Sequence, residues 1–187
     1  MTPVVSLWLP ILLSAVACFI VSSLIHMMTP WHKGDYGTLP NEEGALGALR
    51  PFNIPPGDYM APKPASMDDM KSAAFAEKRN RGPVLIVTVL PNGPVAMGGQ
   101  LGAWFVYLVV IAAIAACVAG ATLHPGADPR SVFHYVAVTA FLGFAGALWQ
   151  MNIWYKRSLG TTIRSTIDGA IYAAITAAIF MQMWPKS

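Results

Sequence analysis

The stretch LGAWFVYLVVIAAIAACVAGATL, residues 101–123, contains no charged side chain. About 20 consecutive apolar residues, coiled as a helix, match the hydrocarbon thickness of a bilayer. Two further stretches of this kind follow, 132–154 and 163–184, and a fourth, 4–28, lies at the other end of the chain. With the second span placed at 100–123, the sequence predicts an all-α membrane protein with four transmembrane helices. A mixed polar segment, 29–99, separates the first helix from the second.

Composition agrees with segregation by a bilayer. Of the 187 residues 55% are hydrophobic and 11% charged, against about 25% charged in soluble domains. Nearly all the charges fall between the apolar runs. The net charge of +3 comes without a dense basic patch, which excludes a nucleic-acid partner. Cys18 and Cys117 each sit inside an apolar run with no Cys or His at ligand spacing. They read as small buried hydrophobes with no disulfide between them. The first run has no Lys or Arg before Trp8, exceeds the apolar core of a secretory signal and lacks a small-x-small cleavage site, so it is expected to remain as a transmembrane helix. Pro10 falls near its first turn, where a missing N–H costs little. Trp8 and Trp31 suit the two interfaces.

The segment 29–99 holds seven basic and seven acidic residues and is rich in Pro and Gly. Asn41 is placed to cap a short helix through Leu49. Pro55-Pro56-Gly57-Asp58 reads as a turn, with Pro62 and Pro64 extended. Ser66, with Asp69 three residues on, opens a helix that closes on Lys78, Arg79 and Arg81. Residues 84–90 read as a strand. Few pairing candidates stand inside the segment, which points to pairing with a partner subunit or a symmetric copy.

Small residues recur at intervals of four in the spans: Gly98 and Gly102, Ala112, Ala116 and Gly120, and Gly143 and Ala147. Such stripes permit close helix contact. Short loops rich in Lys and Arg favour the cytoplasm. Lys156, Arg157 and Arg164, with the basic residues of 29–99, place that segment in the cytoplasm and both termini outside it.

Asp168 is the sharpest candidate for chemistry, because a carboxylate in a span is costly unless paired or wetted. Arg164 stands four residues earlier, on the same helix face, and is its expected partner. His26 lies near the same membrane face, where an imidazole–carboxylate pair with Asp168 is feasible. His32 follows six residues after His26. No third ligand is evident beside this pair, so no metal is expected. His124 and His134 do not offer a haem two histidines at equal depth on facing helices. No hydrolase, zinc, phosphate-loop or dinucleotide fingerprint is present, and no cofactor is expected.

Leu24-Ile25-His26, Pro30-Trp31-His32-Lys33-Gly34-Asp35-Tyr36, Leu39-Pro40-Asn41-Glu42 and Pro55-Pro56-Gly57-Asp58-Tyr59 set rigid Pro and Gly beside aromatics and charges. This text resembles a family of small bacterial inner-membrane proteins of unassigned activity. The resemblance implies a bacterial inner membrane and implies no reaction. The residues favour a non-catalytic chain, an accessory or assembly subunit that binds the bilayer and other membrane subunits or itself. The alternative is a small oligomeric channel or transporter using Asp168. A third reading is a membrane enzyme, which requires His26, His32, Asp35 and Asp168 to converge.

Overall fold

A computed structural model describes residues 1–186. In chain order the elements are a 3-10 turn Val4–Leu7 running into α1 (Trp8–Met28), α2 (Glu42–Leu49), β1 (Gly57–Ala61), α3 (Met67–Met70), α4 (Ala73–Arg81), β2 (Leu85–Val89), α5 (Gly98–Thr122), α6 (Pro129–Ala145), α7 (Leu148–Tyr155) and α8 (Leu159–Met183). They form two compact units, residues 1–37 with 96–186, and residues 38–95.

The first unit is a bundle of four helices, each long and apolar enough to cross a membrane: Val4–Met28, Gly98–Thr122, Pro129–Tyr155 and Leu159–Met183. Packing sets their order as a ring. α1 packs on α5 and α8, and α6 packs on the same two from the other side. Towards one end Leu7, Ile11, Val132, Val136 and Phe180 are buried together with Ala112, Ala116 and Ala119. The hairpin between α5 and α6 is tied there to both ends of the chain. The Thr2 hydroxyl donates to Leu123 O at 3.0 Å, and Trp184 Nε1–H to His124 O at 3.1 Å. The opposite end gathers the last turn of α1 and the first turns of α5 and α8.

Small residues allow close approach where the chain predicts it, but only in part. Ala112, Ala116 and Gly120 are buried, and a Cβ at Gly120 would overlap the Thr2 carbonyl oxygen. Gly143 lies against Ile111. Gly98, Gly102 and Ala147 are exposed, and nothing stands within 4 Å of a Cβ built at Gly98 or Gly102. Interval-four spacing sets which residues share a face; it does not say which face meets a neighbour. The α6–α8 contact uses small residues that sit outside those stripes, Ala145, Gly169 and Ala173.

Two boundaries differ from the sequence reading. The third span breaks between α6 and α7 at Gly146-Ala147. One turn earlier the Tyr107 hydroxyl donates to the Gly143 carbonyl at 2.6 Å, and a side chain entering the helical ladder is a standard cause of a kink. The fourth span starts at Leu159, so Thr161, Thr162 and Arg164 are helical and not loop. Thr162 and Thr166 return their hydroxyls to Ser158 O and Thr162 O, at 3.1 and 2.8 Å. Cys18 is buried and Cys117 exposed, and both are free thiols.

In the unit 38–95, Asn41 caps α2 through Gly44 N–H. The helix expected from Ser66 comes in two pieces. Ser66 caps α3, then Ser72 caps α4 by accepting from Phe75 N–H at 3.1 Å. β2 does not wait for another chain. It pairs antiparallel with β1, in register from Gly57↔Val89 to Ala61↔Leu85, and Thr88 donates to Asp58 at 2.6 Å. The partner was hidden because Gly-Asp-Tyr-Met-Ala lacks β-branched residues and begins inside a Pro-Pro-Gly turn.

Candidate metal centre at the membrane edge

Pro30 builds the site by ending α1. A residue before proline is kept out of the α region, and Thr29 is extended, with φ −104° and ψ 154°. The Thr29 hydroxyl bonds back to Ile25 O at 2.6 Å. Two tight turns follow, Lys33 N–H to Pro30 O and Asp35 N–H to His32 O, both 3.1 Å. They fold the chain under α1 and turn Trp31, His32 and Asp35 towards α8.

Asp168 receives them. It is buried, nine residues after the start of α8, which is about 13 Å along the axis. Its Oδ1 accepts from Trp31 Nε1–H at 3.1 Å, and its Oδ2 faces His32 Nε2 at 2.7 Å. The other ring nitrogen of His32, Nδ1, is 2.7 Å from Asp35 Oδ2. Asp35 Oδ1 accepts from Arg164 Nε at 2.9 Å and Nη2 at 2.5 Å. The expected Asp168–Arg164 pair is therefore absent. Arg164 has the longer reach and takes Asp35, and the two residues of α8 are joined through Asp35 and His32. His26 stands beside this chain with its ring perpendicular to that of His32, centroids 4.2 Å apart.

Three donors converge. One ligand atom each from His26, His32 and Asp168 lie within 4.8 Å of one another. His26 is exposed, His32 half-buried and Asp168 buried. Zinc bonds of about 2.0–2.1 Å set tetrahedral ligands about 3.3 Å apart, so an ion would need the 2.7 Å contact of His32 Nε2 with Asp168 Oδ2 to open and the widest spacing of the set to close. The expectation that His26 and His32 lack a third candidate ligand is overturned, because Asp168, 136 residues from His32, brings one beside them. With an ion bound, Asp35 would take the outer role in a carboxylate–histidine–metal arrangement, accepting Nδ1–H of His32 and leaving the Nε2 lone pair free.

The two contacts of His32 also set a proton count. Both nitrogens of His32 face a carboxylate oxygen at 2.7 Å, but a neutral imidazole carries one N–H. The second contact, at hydrogen-bonding distance, needs one further proton. With a proton there, two carboxylates balance Arg164 and an imidazolium. Burial pushes the Asp35 carboxyl up, and the hydrogen bonds and charge of His32 and Arg164 outweigh it and hold the group below its ordinary range.

Asp168 also separates two cavities. One, of about 290 Å³, lies inside the bundle and is bordered by His26, Asp168, Trp104, Tyr107, Phe144 and Tyr172. Trp104 is fixed there by donating to Ser22 at 2.9 Å and stacks on Tyr107. The Tyr172 hydroxyl is buried without a hydrogen-bond partner among the described residues, a cost of about 1–3 kcal/mol. The second, a cleft of about 750 Å³ between α1 and α8, is open and walled by isoleucines.

The reading of a non-catalytic chain does not survive this geometry. A compact His/His/Asp set, with one histidine locked from behind, is a donor set for metal chemistry and overturns the expectation that the chain is not an enzyme. All four residues of the third reading, His26, His32, Asp35 and Asp168, are brought together. Trp31 and Arg164 were assigned other work by the sequence, an interface marker and the partner of Asp168. His124 instead faces Pro125 O at 2.7 Å, and His134 is exposed. Compared with known proteins, the chain matches no family model, no curated protein and no solved structure.

Proposed function

We propose that this chain is a membrane enzyme that uses a divalent transition-metal ion, of the zinc type, held by His26, His32 and Asp168. The observation that carries the reading is the convergence of these three donors within 4.8 Å. Three protein ligands, two His and one carboxylate, leave a coordination position open, as catalytic rather than structural zinc sites do. The ion would supply a bound water acidic enough to act as a nucleophile near neutral pH, so the reaction class is hydrolysis. The chain's own residues do the rest. Asp35 sets the tautomer of His32, Arg164 holds Asp35, and Trp31 holds one oxygen of Asp168 so that the other faces the ion. Trp104 and Tyr107 wall the cavity beside it.

The transport reading has one observation in its favour, the cavities on both sides of Asp168. Against a path through one chain stands the packed end of the bundle, where Leu7, Val132, Val136 and Phe180 are fully buried. The stretch 30–36 and its resemblance support a bacterial inner membrane as the location. Lys156 and Arg157, at the site's end of the bundle, support a cytoplasmic site.

The test is metal analysis of protein purified gently from native membranes. The expected result is about one ion per chain, lost in His32→Gln and Asp168→Asn and kept in Asp128→Asn at the other end of the bundle. Wild-type protein that neither carries nor takes up zinc, manganese or iron(II) would overturn the reading.

A further inference from the structure

The cavity inside the bundle is walled by a closed circuit of aromatic rings. Trp104 and Tyr107 of α5 stack with centroids 5.5 Å apart. Tyr107 meets Phe144 of α6 at 6.1 Å, Phe144 meets Tyr172 of α8 at 5.7 Å, and Tyr172 returns to Trp104 at 6.1 Å. All four rings border the cavity. A point inside a circuit with such sides can lie within about 6 Å of every centroid, the range over which a ring face attracts a cation. Two of the rings are fixed by their polar atoms, Trp104 through Ser22 and Tyr107 through Gly143 O. Gly169 lets α6 come close enough to set Phe144 in the circuit, since a Cβ there would lie 3.3 Å from that of Phe144.

The rest of the wall offers acceptors and carries no Lys or Arg. Ser165, Asp168, Gly169 and Tyr172 border it from α8, at the spacing that puts residues on one helix face. Each oxygen of Asp168 holds one partner, Trp31 or His32, while an ionised carboxylate has about four lone-pair sites. His26 adds an imidazole that, when neutral, offers one acceptor nitrogen. Tyr172 is 4% exposed, and its hydroxyl has no partner among the described residues. A buried hydroxyl in that state calls for a ligand that hydrogen-bonds. An anion would meet Asp168 with no Lys or Arg on the wall to balance it. A quaternary ammonium would suit the rings and leave the hydroxyl unpaired. A protonated amine suits the rings, the carboxylate and the hydroxyl together.

We propose that this cavity binds a protonated organic amine, with the ammonium inside the four rings and its N–H groups donated to Tyr172 Oη and the Asp168 carboxylate. The inference goes beyond the metal reading and uses no ion, because the rings, the hydroxyl and the carboxylate all belong to the chain.

The experiment is isothermal titration calorimetry of the full chain in a neutral detergent, stripped with a chelator so that no ion occupies Asp168. The probes are n-butylammonium and n-pentanol, a neutral molecule of similar size. The expected result is tighter binding of the ammonium by about tenfold or more, the effect of ring faces on a desolvated cation. Trp104→Leu should abolish that preference. Tyr172→Phe discriminates further. It removes a hydroxyl that has no partner, so the unfolding temperature should hold or rise, while ammonium affinity falls by about tenfold. A tyrosine with a structural role alone would not move the two readouts apart. Val138→Leu, on the wall of the separate cavity between α6 and α8, should leave the affinity unchanged. Ammonium and pentanol bound alike, or ammonium affinity unchanged in Tyr172→Phe, overturns the proposal and leaves the metal reading standing. The expected ammonium pattern in protein that takes up no metal overturns the metal reading alone.

Discussion

Changing Asp35 to Asn removes one negative charge and leaves the side chain's size and shape. Asp35 touches no ion in the proposed centre, so the change would reach an ion only through His32 and Arg164. In the native chain the carboxylate takes Nδ1 of His32 at 2.7 Å and two bonds from Arg164. An amide can still accept one of these, but it neither fixes the Nδ1–H tautomer nor neutralises the guanidinium. Outer-shell partners of metal-bound histidines are worth about 10- to 100-fold in affinity, or about 1.4–2.8 kcal/mol. Arg164 and Asp35 are 24 and 11% exposed, so the guanidinium that loses its carboxylate should also cost about 1–3 kcal/mol of stability. The assay is competition against a chromogenic chelator on purified protein, with thermal unfolding followed in parallel. Asp128→Asn serves as the reference, because Asn caps a helix about as well as Asp and Asp128 caps α6 through Ser131 N–H at 3.0 Å. An Asp35→Asn protein that binds zinc as tightly as wild type, or an Asp128→Asn protein that loses as much, would refute the outer-shell role.

Three further outcomes are expected. Gly169→Val should lower stability by about 1–3 kcal/mol, seen as a lower unfolding temperature in detergent, because a Cβ there already lies 3.0 Å from the Ala145 methyl and 3.3 Å from Phe144. A membrane-permeant maleimide should modify Cys117 and spare Cys18, whose thiol is 1% exposed and lies 3.5 Å from Tyr172 O; mass spectrometry of the labelled peptides decides. The double variant Met60→Cys, Ile86→Cys should form a disulfide within one chain on mild oxidation, since directly paired strand residues fall in the Cα range of disulfides. A cross-linked dimer on a non-reducing gel would contradict the register Met60↔Ile86.

The spans were legible because hydropathy is local: twenty apolar residues announce themselves without reference to any other part of the chain. The site was legible only in pieces. Asp168 stood out by its cost in hydrocarbon, and His26 and His32 by their closeness. Their meeting depends on Pro30 turning the chain under α1 and on α8 packing against α1, and neither is a pattern of spacing. The Asp168–Arg164 pairing failed for the converse reason. Helical spacing showed that the two side chains can meet, and a better acceptor for Arg164 arrived from elsewhere. β1 was missed because its five residues carry no strand signature, so only the need of β2 for a partner pointed to it.

The order in which the chain is made has a consequence for the centre. His26, His32 and Asp35 are synthesised before Asp168, which follows His32 by 136 residues and stands on α8. Until that helix is inserted beside the first, the histidines have no carboxylate to share and the ion no complete seat. In the proposed centre, loading would therefore follow the docking of α8 against α1.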